Sequence, residues 1–167
     1  RFNVSVECTR SKEYLLITVQ SKISSEVYYL PASNLSETSQ SLIKSLKPRE
    51  QNVEYFAEHH VNKSKHQNCF YLLQNSKEKP NYELFKVDIN SDGEVNSNWQ
   101  LLISHHADIS LEDFECFQDY GILFTRKNGL NCLNIIKNYD FNNIIEYDVF
   151  HELQESIYDL GPHTNLM

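Results

Sequence analysis

The sharpest chemical motif in the chain is Asp88-x-Asn90-x-Asp92-Gly93, the alternation of oxygen-bearing side chains that opens a calcium loop, with glycine at the bend. Such a loop closes on a bidentate glutamate at its twelfth position. That position is Trp99 here, and Glu94 stands too near to replace it. Calcium at Asp88, Asn90 and Asp92 is therefore discounted in favour of a plain hairpin turn, and no cofactor is expected. His59-His60 with His66, and His105-His106 with Asp108, carry metal-ligating types. Adjacent residues on a strand point to opposite faces, so each pair offers one ligand at most to a given site, and local hydrogen bonding is the simpler reading. A Cys69–His66 pair would need a thiolate, yet Cys69 opens an apolar run where burial raises a thiol's pKa. Ser, His and Asp are all abundant, but no serine sits in a G-x-S-x-G elbow: Gly93, Gly121, Gly129 and Gly161 lack the required neighbours. Glu112, Asp113 and Glu115 form an acidic group that could raise a carboxyl pKa for acid–base work or hold a basic peptide side chain in a channel mouth. A solvated turn with one structural carboxylate is the preferred reading. The catalytic set is thus empty, no metal site is assigned, and the substrate-binding residues are left unknown.

The elements that would position these residues are short and β-rich. Glu13–Val19 and Glu26–Leu30 flank a Ser/Lys connector and read as a hairpin. The same grammar returns in Cys69–Gln74 with Asn81–Ile89, and in Tyr120–Arg126 with Gly129–Ile136. A unit recurring at roughly 50 residues is the size of a propeller blade. Phe2–Glu7 alternates with period two and predicts a half-buried strand. Val53–His60, Trp99–Ile103, Leu111–Phe117, Ile144–Phe150 and Ser156–Leu160 extend the β pattern. Ser33–Gln51 is read as a loop between blades, and Val61–Asn68 as a long charged turn. About twelve strands and no long amphipathic helix give an all-β fold, a partial β-propeller of three to four blades. The 10 Tyr and 9 Phe fall at strand positions suited to filling the wedge between sheets.

Composition narrows the partners. With 15 Lys+Arg against 23 Asp+Glu the net charge is −8, and no basic cluster forms. Nucleic acid and anionic membrane are therefore not expected partners. No apolar run approaches the ~18 residues of a membrane helix, and no basic-then-apolar leader opens the chain. Only 4 glycines among 167 residues excludes loops that cradle phosphates on repeated glycines. Cys8, Cys69, Cys116 and Cys132 are widely spaced within apolar runs and read as buried thiols of a reducing, cytoplasmic compartment. The sequons at Asn3, Asn34 and Asn62 carry weight only in a secreted protein. The start at Arg1 suggests a segment of a longer chain.

The order of blocks adds a resemblance. Glu13-Tyr-Leu-Leu-Ile, Ser21-Lys-Ile-Ser-Ser-Glu-Val-Tyr-Tyr-Leu-Pro-Ala, Val53-Glu-Tyr-Phe-Ala-Glu-His-His, Phe70-Tyr-Leu-Leu-Gln-Asn and Asn81-Tyr-Glu-Leu-Phe-Lys-Val follow one another at fitting distances. Trp99-Gln-Leu-Leu-Ile-Ser-His-His-Ala-Asp-Ile-Ser-Leu-Glu-Asp-Phe and Arg126-Lys-Asn-Gly-Leu-Asn-Cys-Leu complete the series. Together they resemble the propeller of the prolyl oligopeptidase family of serine peptidases, nearest the oligopeptidase B (protease II) branch. Ser33–Lys47 and Val61–Asn68 are enlarged relative to that pattern, and the Gly-Leu turn lacks the family's Thr-Ser-Leu continuation.

The resemblance implies a seven-bladed propeller capping an α/β-hydrolase domain, with a central tunnel that admits short peptides. This chain would supply the C-terminal half of the propeller over residues 1–160, with 161–167 as a tail. The Ser, Asp and His of peptide hydrolysis, with the basic-residue specificity of the oligopeptidase B branch, would belong to a hydrolase domain absent from this chain. Two alternatives stay open: a non-enzymatic propeller that binds a protein partner, and a prolyl-endopeptidase-like protein whose peptidase activity is lost.

Overall fold

The structure is a computed structural model that describes residues 1–34, 42–96 and 98–148. Among the described residues, twelve strands form three antiparallel four-stranded sheets, each built from strands consecutive in the chain. The first sheet contains β1 (Asn3–Cys8), β2 (Tyr14–Gln20), β3 (Ser25–Pro31) and β4 (Lys44–Ser45). The second contains β5 (Tyr55–Asn62), β6 (Gln67–Gln74), β7 (Glu83–Asp88) and β8 (Gln100–Ile103). The third contains β9 (Ile109–Cys116), β10 (Tyr120–Lys127), β11 (Leu130–Lys137) and β12 (Ile144–Asp148). These are three propeller blades, and the hairpin that recurs in the sequence is the middle pair of each: β2–β3, β6–β7 and β10–β11.

The assembly is held by the faces of the middle sheet. Along β6 the alternation sends Phe70 and Leu72 to one side and Cys69, Tyr71 and Leu73 to the other, and all five are buried. Phe70 and Leu72 join Tyr14, Leu16, Val27, Tyr29 and Tyr55 in a core shared with the first sheet. Tyr71 and Leu73 join Leu84, Leu111, Phe114, Leu123 and Ile136 in a core shared with the third. Rings fill the wedges, as expected from the aromatic content. Tyr14 and Tyr29 each lie 5.4 Å from Phe70, and Tyr71 lies 5.0 Å from Phe114. Gly121 on β10 is required by this packing, since a Cβ there would stand 2.5 Å from Cζ of Phe114.

A polar stitch joins the first two sheets. The Ser25 hydroxyl donates to the Tyr55 carbonyl at 2.8 Å and accepts from the Tyr55 N–H at 2.6 Å, and Ser25 N–H donates to Val53 O at 3.1 Å. Tyr55 completes it, its hydroxyl accepting from Val27 N–H at 2.9 Å and donating to Lys47 O at 2.8 Å. Burial pushes that phenol up to about 12.

Three expectations change. Within Ser33–Gln51, read as a loop, Ala32–Asn34 is a 3-10 turn and Lys44–Ser45 is the fourth strand of the first sheet. Leu46 drives this by inserting into the first core while its N–H bonds Val27 O at 2.9 Å. Val61–Asn68 is no long turn either: β5 and β6 run through it, leaving only the 3-10 turn Lys63–Lys65, capped by the Asn62 side chain and closed by left-handed His66. Finally, β1 is exposed along its whole length, with Val4 65% and Val6 62% exposed, and Cys8 is exposed with it. No other sheet among the described residues covers β1, so its apolar face finds no core. Ser156–Leu160 and the 161–167 tail lie outside the described residues.

Candidate functional site

The first strands of the three sheets converge on one cavity of about 350 Å³, lined by Glu7 of β1, Phe56, Ala57 and Glu58 of β5, and Glu112, Asp113, Phe114 and Glu115 of β9, with Arg10 at its edge. Convergence of the first strand of every blade is how a propeller lines its central channel. A β-bulge shapes the third wall. Phe124 faces Asp113 while the next residue, Thr125, faces Leu111, so Glu112 is the extra residue. The slip exposes Glu112 and Asp113 side by side, where strict alternation would bury one of them.

The wall is strongly acidic. Burial raises the Glu58 carboxyl above the usual range, opposed by two main-chain donors, Arg10 N–H at 3.1 Å and His59 N–H at 2.9 Å. Glu115 pairs with Arg10 at 2.7 Å and Glu112 with Arg126 at 3.2 Å. Asp113 accepts from the adjacent Phe114 N–H at 2.8 Å. A wall of this kind attracts cations and repels anions.

A second cavity, of about 900 Å³, opens among the turns that join the first two strands of each sheet: Arg10–Glu13, His59–Ser64 and Cys116–Gln118. Ser11 and His59, which line it, form a relay with Asn68. The Ser11 hydroxyl lies 2.6 Å from Nδ1 of His59, and Nε2 of His59 lies 2.7 Å from Oδ1 of Asn68. The Asn68 carbonyl can only accept, so Nε2 carries the proton and Nδ1 accepts from Ser11. The pattern resembles a hydrolase triad but lacks an oxyanion site. Arg10 N–H is bound to Glu58, Lys12 N–H to Thr9 O, and Glu13 N–H to the Ser11 oxygen itself. The relay instead satisfies a fully buried imidazole that packs edge-on against Tyr14 at 4.6 Å, and ties the first sheet to the second. Ser11 and His59 are 48 residues apart, beyond any local spacing signal.

His59 and His60 point to opposite faces of β5, as a strand requires. His60 leans on the Tyr139 ring at 4.0 Å with its Nε2 unpartnered, and burial lowers the pKa of both imidazoles.

The other singled-out residues stay apart from the first cavity. Asp88 pairs with Lys86 at 2.7 Å, while Oδ1 of Asn90 accepts from Asp92 N–H at 3.0 Å and Glu94 N–H at 2.9 Å. Gly93, at φ +72°, completes a hairpin turn. Cys69 is fully buried and its thiol is pushed up to about 12, mainly by burial; His66 sits in the exposed turn. Nδ1 of His106 accepts from Asp108 N–H at 3.1 Å, a local turn contact. Among the described residues no three His, Cys, Asp or Glu side chains gather as metal ligands. Of the sequence candidates, only the acidic group Glu112, Asp113 and Glu115 lines this first cavity. Sequence reading missed Glu7, Glu58 and Arg10, whose only signal was membership of the first strand or first turn of a blade.

Comparison with known proteins gives a consistent result. The family model described as "Prolyl oligopeptidase, N-terminal beta-propeller domain" matches residues 1–160. Dipeptidyl aminopeptidase BI of Pseudoxanthomonas mexicana is 26% identical over 164 residues, covering 98% of this chain and 20% of that protein. Prolyl endopeptidase-like of Gallus gallus is 32% identical over 136 residues, covering 81% of this chain and 17% of that protein. Oligopeptidase B from Trypanosoma brucei, closed form with covalently bound antipain, superposes with a TM-score of 0.70 at 20% identity, over 87% of this chain and 20% of that one. Oligopeptidase B from Leishmania major gives 0.68 at 18% identity over the same shares. The chain spans about a fifth of the length of the curated relatives it matches.

Proposed function

Because this chain belongs to the prolyl oligopeptidase N-terminal β-propeller family, we propose that it is the C-terminal half of a seven-bladed propeller that caps an α/β-hydrolase domain and screens peptides by size. The observation that carries this is the convergence of β1, β5 and β9 on one open, polar cavity. In the whole protein the hydrolase domain supplies the Ser–His–Asp chemistry, and these blades admit short, flexible peptides while excluding folded chains. The partners are that hydrolase domain and its peptide substrates, in the reducing cytoplasm that unpaired, buried Cys69 and Cys116 suit.

The test uses the whole protein. A fluorophosphonate probe should label its serine, and a short peptide should be cleaved while the same sequence inside a folded protein is spared. Ala57→Trp, which narrows the cavity between β1 and β9, should lower kcat/KM for long peptides more than for a single-residue chromogenic amide. Equal loss on both substrates, or cleavage of the folded protein, overturns the screening role. No labelling, with peptide binding retained, identifies a binding module instead.

A further inference from the structure

The hairpin tip between β10 and β11 carries the one Asn-Gly pair of the sequence, Asn128-Gly129. The ladder closes on Lys127 opposite Leu130, so these two residues alone make the connection. Both have left-handed backbones, Asn128 at φ 52° and Gly129 at φ +80°, as a type I′ turn requires. Residues 126–131 are all exposed, and a Cβ built on Gly129 meets no atom within 4 Å. Among the described residues, neither the Asn128 carboxamide nor the Gly129 N–H has a hydrogen-bond partner. Nearby asparagines are placed differently. Asn131 lies within β11, and Asn134 is buried with its Nδ2 donating to Leu123 O at 3.2 Å and Thr125 Oγ1 at 2.9 Å. In the comparable pair Asp92-Gly93, the Gly93 N–H is held by Asn90 O at 3.1 Å.

We propose that Asn128 is a site of spontaneous covalent modification, converted through a cyclic imide into a mixture of aspartyl and isoaspartyl linkages. The Gly129 amide nitrogen gives its proton to solvent base and attacks Cγ of Asn128. The new N–Cγ bond forms as the Cγ–Nδ2 bond breaks, and Nδ2 leaves as ammonia. Water then opens the imide. Cleavage at Cγ gives aspartate with the original main chain; cleavage at the main-chain carbonyl gives isoaspartate, with the chain running through Cβ. One water is consumed and one ammonia released, with no oxidant or catalyst. Glycine matters because a Cβ on the attacking residue would crowd the close approach. Ring closure rotates Asn128 away from its I′ backbone, so it proceeds when the tip opens, and exposed tips open at little cost. The two products then differ in structure. Asp-Gly suits a type I′ turn as well as Asn-Gly does, so the aspartyl form keeps the hairpin and adds one negative charge beside Lys127. The isoaspartyl form lengthens the main chain inside a two-residue turn, so the Lys127–Leu130 pair no longer closes.

The experiment ages the whole protein in neutral buffer, folded and in urea, and samples it over weeks. Each sample is digested with pepsin at acid pH, where the imide does not form, and the peptides that carry Asn128, Asn131 and Asn134 are followed by mass spectrometry. Isoaspartate is identified by methyl transfer from S-adenosylmethionine to its carboxylate, using an isoaspartyl methyltransferase as the probe. In the folded protein the Asn128 amide should be lost to two products, with isoaspartate in excess, while Asn131 and Asn134 keep theirs. Urea should speed the loss. Asn128→Gly, which retains a type I′ turn as Gly-Gly, should give no product at the tip. Gly129→Asn keeps a residue that tolerates the left-handed region and crowds the attack, so loss at Asn128 should fall to the rate seen at Asn131. Retention of the Asn128 amide in the folded protein, while the urea sample converts, overturns the proposal. So does loss at Asn128 no faster than at Asn131, undiminished loss in Gly129→Asn, or an aspartyl product without isoaspartate, which would mean direct hydrolysis.

Discussion

Replacing Ser25 by alanine tests how the first two blades are held together. The Ser25 hydroxyl bonds both main-chain groups of Tyr55, at 2.6 and 2.8 Å, and stands in for a strand partner that Tyr55 lacks on that side. Ser25 is 0% exposed and Tyr55 1%, so water does not reach the site. Ser25→Ala removes a single oxygen and leaves a buried N–H and a buried C=O unsatisfied. Each stranded group costs about 1–3 kcal/mol, giving a loss of about 2–6 kcal/mol for the two, while the Ser25 N–H bond to Val53 is untouched. With a urea slope on the order of 2 kcal/mol/M, the unfolding midpoint should fall by about 1–3 M with the slope unchanged. Ser91→Ala, in an exposed turn, is the control and should stay within about 0.5 kcal/mol of the parent. A Ser25→Ala midpoint indistinguishable from that of Ser91→Ala would refute the stitch. A changed slope would mean that the blades unfold separately.

Gly121→Ala puts a Cβ 2.5 Å from the Phe114 ring and should destabilise the chain by about 1–3 kcal/mol in thermal unfolding; adding Phe114→Leu should recover part of that loss. Stability should also fall on acidification. His59 and His60 have folded-state pKa values below the ordinary ~6.5 because burial disfavours the imidazolium. Above that pH neither folded nor unfolded chain is protonated at these rings. Below it the unfolded chain binds protons that the folded one refuses, so stability drops until the lower folded values are passed. Glu58 works in the opposite sense, its raised carboxyl taking up a proton more readily in the folded chain. The comparison that isolates the histidine effect is therefore His60→Phe against the parent, followed by urea unfolding from pH 7 to 5. The variant should show the shallower decline, and parallel curves would refute the assignment.

Much of the fold was legible because its signals are local. Period-two alternation and the turn residues mark the middle hairpins, where both chain direction and burial follow from adjacent residues. The β4 strand escaped because two residues have no period, and its formation depends on Leu46 finding a core built from Val27 and Phe70. The half-burial expected of β1 failed for the reverse reason: alternation reports which face seeks a partner, not whether one is present. The first cavity was half visible. The acidic run of β9 stood out as a run, but the bulge that turns Glu112 and Asp113 outward together comes from the register against β10. Arg10, Glu58 and Glu115 are brought together by blade order alone, which no spacing rule encodes.

Each sheet is made of consecutive strands, and no strand is shared between sheets. Main-chain ladders therefore stop at every blade boundary, and apart from single main-chain bonds such as Ser25 N–H to Val53 O and Leu111 N–H to Asn81 O, what crosses is side-chain contact, including two aromatic wedges, the Ser25 stitch, the Ser11–His59–Asn68 relay and Arg10. Under load such a body parts like the leaves of a book, along a seam, with every ladder intact. The resistance of each seam is set by a few named residues, so it can be tuned one boundary at a time without disturbing the hinge of its neighbour.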